Sequence, residues 1–256
     1  MRGVPVKPHI ESFLGRRVSP ALRSSRDNQS GRNLRRAAAS LIAIAGICAY
    51  DAEQHQVADG HFSKALHLAK TSGDVPLSGY VTALMANQAL CLGKNETTIL
   101  LVESALRCGE RFLSAALQAD LYSMQAKAHA QLGAYADCRQ QMRIAERCVE
   151  LINPADEPSE TSYVHPGLME LKSAESLLKI GELDAAHAFA EASIRLGPAD
   201  DPRGRFYSHA ILAIVLGEQR KVEEGCPDNF ARHGLSSCTG PARPFDQDFP
   251  SLWRQF

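Results

Sequence analysis

From about residue 34 the chain alternates wholly apolar stretches with stretches whose apolar positions recur three and four residues apart, the spacing of one helix face. Short breaks separate them at Glu53-Gln54-His55, Ser72-Gly73-Asp74, Gly93-Lys94-Asn95, Gly109, Gly133, Asn153-Pro154, Gly181, Gly197-Pro198 and Gly217. No stretch alternates apolar and polar residues at period two, so strands are not expected. The clearest segment is Gly181 to Pro198, where Ala186, Ala190 and Ser193 follow Gly181 at offsets 5, 9 and 12, and Pro198 at offset 17. On a helix these small residues form one narrow stripe, which a second helix can approach closely.

The same pattern repeats along the chain. Equivalent turns fall at Glu53, Gly93, Gly133, Gly181 and Gly217, spaced 40, 40, 48 and 36 residues apart. Counting 5, 9 and 12 residues beyond the turn gives Ala58, Phe62 and Ala65, then Thr98, Val102 and Ala105, then Cys138, Met142 and Ala145. Counting seven residues back gives Gly46, Ala86, Ala126, Ala174 and Ala210, each a residue small enough for close helix contact. Each unit is therefore expected to be a helix–turn–helix hairpin, the fifth with only a stub of its second helix. The segment Ile152 to Pro166 holds three prolines in 15 mostly polar residues and accounts for the 48-residue spacing. It reads as a solvated connection between two repeat blocks, with a hinge or partner loop as the functional alternative.

Composition agrees with helices packed on helices: 45% of the 256 residues are hydrophobic but only 6% aromatic. Three regions are expected: a basic leader over 1–33 without regular structure, a helical repeat domain over 34–224, and an irregular tail over 225–256. Nine Lys or Arg against Glu11 and Asp27 leave the first 40 residues at +7 and the remainder at −8, within a net charge of −1. Such an arm attracts nucleic acid or an acidic partner, or is simply solvated. Arg35-Arg36 before AAASLIAIAGICAY looks like a signal-peptide core preceded by charge. The run is too short to span a bilayer and fits better as the first buried helix, so no membrane partner is expected and a cytoplasmic protein is. The seven cysteines include no CxxC pair and sit mostly in apolar helical patterns, which predicts buried reduced thiols.

Chemistry is absent from the pattern. No HExxH, GxSxG, Walker A or GxGxxG occurs. His61 and His67, six apart, fall on different helix faces, and Cys138 and Cys148, ten apart, would stand about 15 Å from one another along a helix. Neither pair can share a metal. His165, before Pro166, falls in a loop and is assigned no role. The chain is expected not to be an enzyme and to need no cofactor or metal.

With a small residue at position 8, a turn at 15, Ala at 20, an aromatic at 24, Ala at 27 and Pro at 32, the repeat resembles the tetratricopeptide family. Gly46, Ala58, Phe62 and Ala65 carry it best, together with Ala174, Gly181, Ala186 and Pro198. Tyr50-Asp51, Phe62 with Ala65-Leu66, Gly73-Asp74 and Leu92-Gly93 further resemble the carboxy-terminal repeats of actinobacterial transcriptional regulators that begin with an XRE-type helix-turn-helix domain. The resemblance implies an all-α, α-solenoid superhelix of about four and a half hairpins acting in regulation. Residues 1–33 are too short for a DNA-binding domain, so the expectation is a sensor or dimerisation half that does not itself grip DNA.

In such a superhelix the first helices line a concave wall that takes a protein or peptide. Repeat positions 2, 5, 9, 12 and 13 then supply Tyr50, Asp51, Tyr80, Asn87, Lys127, Gln131, Glu175, Lys179 and Tyr207. A carboxylate clamp of the chaperone-binding type needs Asn at position 9 in successive repeats. Asn87 fits and Lys127 does not, which argues against a chaperone-tail receptor. A helical scaffold unrelated to DNA, a peptide or small-molecule sensor and a homodimer stay open.

Overall fold

A computed structural model describes residues 6–225 apart from Glu110, and its described residues are helical without a strand. The first part comprises α1 (Val6–Phe13), a π-helical turn (Leu14–Val18) and α2 (Ser19–Ser24). Four hairpins follow: α3 (Gln29–Asp51) with α4 (His55–Ser72), α5 (Val75–Cys91) with α6 (Asn95–Gly109), α7 (Ala115–Gln131) with α8 (Tyr135–Glu150), and α9 (Pro166–Ile180) with α10 (Leu183–Leu196). A last helix, α11, runs Pro202–Gly225. Among the described residues no helix is long and apolar enough to cross a membrane.

The hairpin turns share one device. Glu53, Gly93, Gly133 and Gly181 have φ of 58°, 70°, 75° and 81°, the left-handed conformation that reverses a chain after a helix. At each, the next amide reaches back five residues: Gln54 to Ala49, Lys94 to Ala89 and Ala134 to His129 at 2.9 Å, and Glu182 to Leu177 at 3.0 Å. These bonds satisfy carbonyls that a helix end leaves unpartnered. Glu53 adopts the turn with a Cβ and bears the strain that glycine avoids at the other three, of order 1 kcal/mol.

Gly217 departs from this pattern. It lies inside α11 with no reversal, so the fifth unit has no second helix among the described residues. The residues that follow, Glu218-Gln219-Arg220-Lys221, are strong helix formers, and one glycine costs only about 1 kcal/mol in a helix interior.

Packing follows the seam that the spacing marks out. Every one of the twelve residues 5, 9 and 12 beyond the four turns is buried, from Ala58, Phe62 and Ala65 to Ala186, Ala190 and Ser193. Opposite them Ala86, Ala126 and Ala174 have no exposed surface, and Gly46 lies so close to Phe62 that a Cβ there would overlap its ring. Ala210, the fifth in this register, is half-buried. Each second helix packs on the first helix of its own hairpin, and α4, α6 and α8 pack also on that of the next, while α3, α5, α7 and α9 touch one another in sequence. The core is accordingly a relay: Phe62 joins α4 to Val81 of α5, Val102 joins α6 to Leu117 of α7, and Cys148 of α8 packs with Met169 of α9.

The segment expected to be irregular is helical from Val6 to Ser24; residues 1–5 lie outside those described, as do 226–256 of the tail. Ile10 and Val18 are buried and Leu14, between them, packs on the first hairpin's core. Their four-residue spacing is a helical stripe. Pro8 lies in the first turn of α1, where a helix tolerates proline, and Pro20 directly follows the π-helical turn, in which the Ser19 N–H reaches back five residues to the Leu14 carbonyl.

Cysteine burial is mixed. Cys138 and Cys148 are buried, Cys48 is half-buried, and Cys91 and Cys108 are exposed, contrary to the expectation of generally buried thiols; none of these five is in a disulfide, and Cys226 and Cys238 lie outside the described residues. Burial pushes the Cys138 thiol up to about 11, against a smaller opposing pull from Arg139.

Candidate functional site

Alanines fill one side of α3, α5, α7 and α9, and Tyr50, Cys91, Lys127 and Glu175 of these helices meet one another in pairs. Near the carboxy-terminal ends, polar contacts join α3 to α5 and α7 to α9. The Tyr50 hydroxyl of α3 donates to Cys91 Sγ at the end of α5, at 2.9 Å. Cys91 is close enough to act on the charge of Lys127 of α7, and Lys127 Nζ meets Glu175 Oε2 of α9 at 2.8 Å. Burial works against the Lys127 ammonium, but the Glu175 carboxylate outweighs it and the lysine pKa ends raised. Burial raises the Tyr50 pKa, and Cys91 and Asp51 add to the effect, so the phenol stays a donor.

Asp51 faces Arg203 Nη2 of α11 at 3.6 Å, and the Arg203 guanidinium lies 5.7 Å from the centre of the Tyr207 ring. Of the candidates, Tyr50, Asp51, Lys127, Glu175, Tyr207 and, below, Tyr80 thus have the neighbours described. Lys179 is exposed at the end of α9, and Asn87 and Gln131 are half-buried on α5 and α7.

A second cluster lies toward the amino-terminal ends. Asp120 of α7 is 1% exposed, pairs with Lys172 of α9, and accepts from the Tyr163 hydroxyl at 2.7 Å. Burial first and Asp120 second hold the Tyr163 phenol well above its ordinary pKa. Tyr80 of α5 is raised by burial and then by the nearby carboxylates of Glu160 and Asp120. Arg36 of α3 bridges Asp74 at 2.6 Å and Glu160 at 3.3 Å.

Asp120 and Cys91 were missed in the sequence, although the repeat carries a signal for both. Asp120 stands 40 residues after Tyr80, and Cys91 stands 40 before Gln131, each in the same register. Tyr163, Lys172 and Arg203 have no such signal, because long-range contacts bring them in. His165 proves to be the amino-terminal cap of α9, its Nδ1 accepting from Leu168 N–H at 3.1 Å. Burial lowers its pKa, partly offset by Asp201, which favours the neutral ring this bond needs.

Among the described residues no group of three or more His, Cys, Asp or Glu side chains could hold a metal. Among the described residues an open cleft of about 580 Å³ lies between α3 and the α4–α5 turn, lined by Arg32, Arg36, Asp74 and Phe112 among others. No protein-family model matches the sequence, and no curated protein does.

Proposed function

We propose that the chain is a tetratricopeptide-type binding module whose ligand is a protein or peptide laid along the first helices. One observation carries this reading: four first helices stand side by side, sealed by alanine behind and presenting Tyr50, Lys127 and Glu175 in front. Tyrosines with mixed charge suit a peptide better than an apolar metabolite, because each offers area and a hydrogen bond at small entropic cost. Repeats of this kind build extended binding walls. The regulatory setting, in the cytoplasm and on transcription through a partner that holds DNA, rests on the resemblance of Tyr50-Asp51, Phe62, Ala65-Leu66 and Leu92-Gly93 to actinobacterial regulators.

Affinity capture on the immobilised full chain tests it, with the Tyr80→Ala/Asn87→Ala/Lys127→Ala variant beside the wild type and circular dichroism to confirm that both are folded. Proteins retained by the wild type should be lost by the variant, and a helix-turn-helix protein among them would support the transcriptional setting. Equal capture would remove this face as the binding surface.

A further inference from the structure

The connection between α8 and α9 does more than link two hairpins. It turns back over the amino-terminal half of the first-helix face, and its short 3-10 turn, Ser159–Thr161, touches α5. Three side chains at a spacing of three residues, Glu157, Glu160 and Tyr163, make its contacts. Glu157 Oε1 accepts from the Ala116 N–H in the first turn of α7, at 3.1 Å, an amide that the helix itself cannot satisfy. Glu160 pairs with Arg36 of α3 at 3.3 Å, and the Tyr163 hydroxyl donates to Asp120 of α7 at 2.7 Å. Between and beside them Thr161 and Val164 are buried, Thr161 bonded to Glu157 Oε2 at 2.9 Å. Three helices of the array thus hold one short acidic segment of their own chain in the way a separate peptide would be held. A carboxylate sits at a helix start, a second faces an arginine, and a phenol meets a carboxylate.

We propose that residues 157–163 are an internal stand-in for the ligand, and that the partner carries an acidic segment of the form Glu-x-x-Glu-x-x-Tyr that displaces it. This rests on the binding-module reading given above and specifies its ligand. Charge complementarity supports it, since the Arg36 guanidinium faces Glu160 and the amino-terminal end of α7, with its unsatisfied amides, faces Glu157. One of the three anchors is weak on its own. Arg36 is half exposed, and exposed ion pairs contribute about 0–1 kcal/mol. The tether holds the stand-in near its site at an effective concentration of order millimolar, so a free peptide competes poorly until the stand-in is weakened.

The test uses full-length protein and a fluorescent peptide of residues 154–165, read by anisotropy. The variant Glu157→Gln/Glu160→Gln/Tyr163→Phe keeps the segment's shape while weakening its grip. It should bind the peptide at least about tenfold more tightly than wild type. Adding Arg36→Ala should reverse the gain, and a peptide with both glutamates changed to glutamine should not bind. A second variant, with residues 157–163 replaced by seven Gly and Ser residues, should bind the peptide likewise. Peptide binding no tighter in either variant than in wild type would overturn the proposal. Partner capture that depends on Tyr80, Asn87 and Lys127 but ignores both loop variants would reject the stand-in while leaving the binding face in place.

Discussion

On α5, the Ala86 side chain is sealed from solvent and its carbonyl accepts from Thr98 of α6 at 3.4 Å, while on α7, Lys127 reaches sideways to Glu175 of the next first helix. The two positions are one residue apart in the repeat register and belong to different economies of contact. Behind the first helices, small side chains let helix axes approach, and stabilisation comes from buried apolar area and dispersion. In front, polar contacts join parts of the array that lie far apart in the chain: Tyr50 with Cys91, Lys127 with Glu175, Asp120 with Lys172 and Tyr163. The back builds each hairpin and hands its core to the next. The front ties hairpins together, so its energetics depend on partners that lie 41 to 52 residues away in the chain.

Phe62→Ala breaks the back seam where it is tightest. Phe62 is 2% exposed, and it is the one large ring among the twelve seam residues, filling the space that Gly46 leaves. Removing it leaves a cavity between α3, α4 and α5 that alanines cannot close, and the expected loss is about 3–5 kcal/mol. Urea unfolding followed by circular dichroism measures it. A loss below about 1 kcal/mol would mean that the first hairpin does not depend on this seam.

The same contrast explains what could be read from the sequence. The back seam was legible because it is local and periodic: Gly46, Ala58, Phe62 and Ala65 fix a hairpin by spacing alone, and four of the five turns stand where glycine or Glu53 marks them. Gly217 was misread because a glycine marks a turn only when the residues beyond it do not prolong the helix. The amino-terminal helices were missed because two prolines masked the stripe of Ile10, Leu14 and Val18. On the front face the sequence offers positions but not pairs. Spacing puts Lys127 and Glu175 on one face, yet no rule of sequence says that they meet, nor that Tyr163 folds back from a proline-rich loop onto Asp120.

Asp120 tests the front face at its most buried point. Asp120→Ala leaves the Lys172 ammonium and the Tyr163 hydroxyl without their acceptor, and the expected loss is about 2–4 kcal/mol, somewhat less than for a fully enclosed pair. Combining Asp120→Leu with Lys172→Met and Tyr163→Phe should recover most of it, because the penalty lies in the groups left unpaired. If the triple variant is no more stable than Asp120→Ala, the cluster contributes through packing, and the distinction between the two faces weakens.

Lys127→Met is the gentlest way to sharpen the comparison. The lysine side chain is 30% exposed and Glu175 17%, so the pair is partly screened and its removal should cost only about 1 kcal/mol at pH 7. Its pH dependence carries the diagnosis. Because the folded-state pKa of Lys127 is raised above its ordinary 10.5, the contribution is complete below that value and fades as pH rises through the folded pKa. The difference in urea midpoint between wild type and variant should therefore hold steady from pH 7 to about pH 10 and shrink above it. Equal stability of wild type and variant at every pH would assign the stabilisation to the buried apolar stem, which methionine preserves. Position 127 would then behave like the alanine seam behind it, not like the charged face in front.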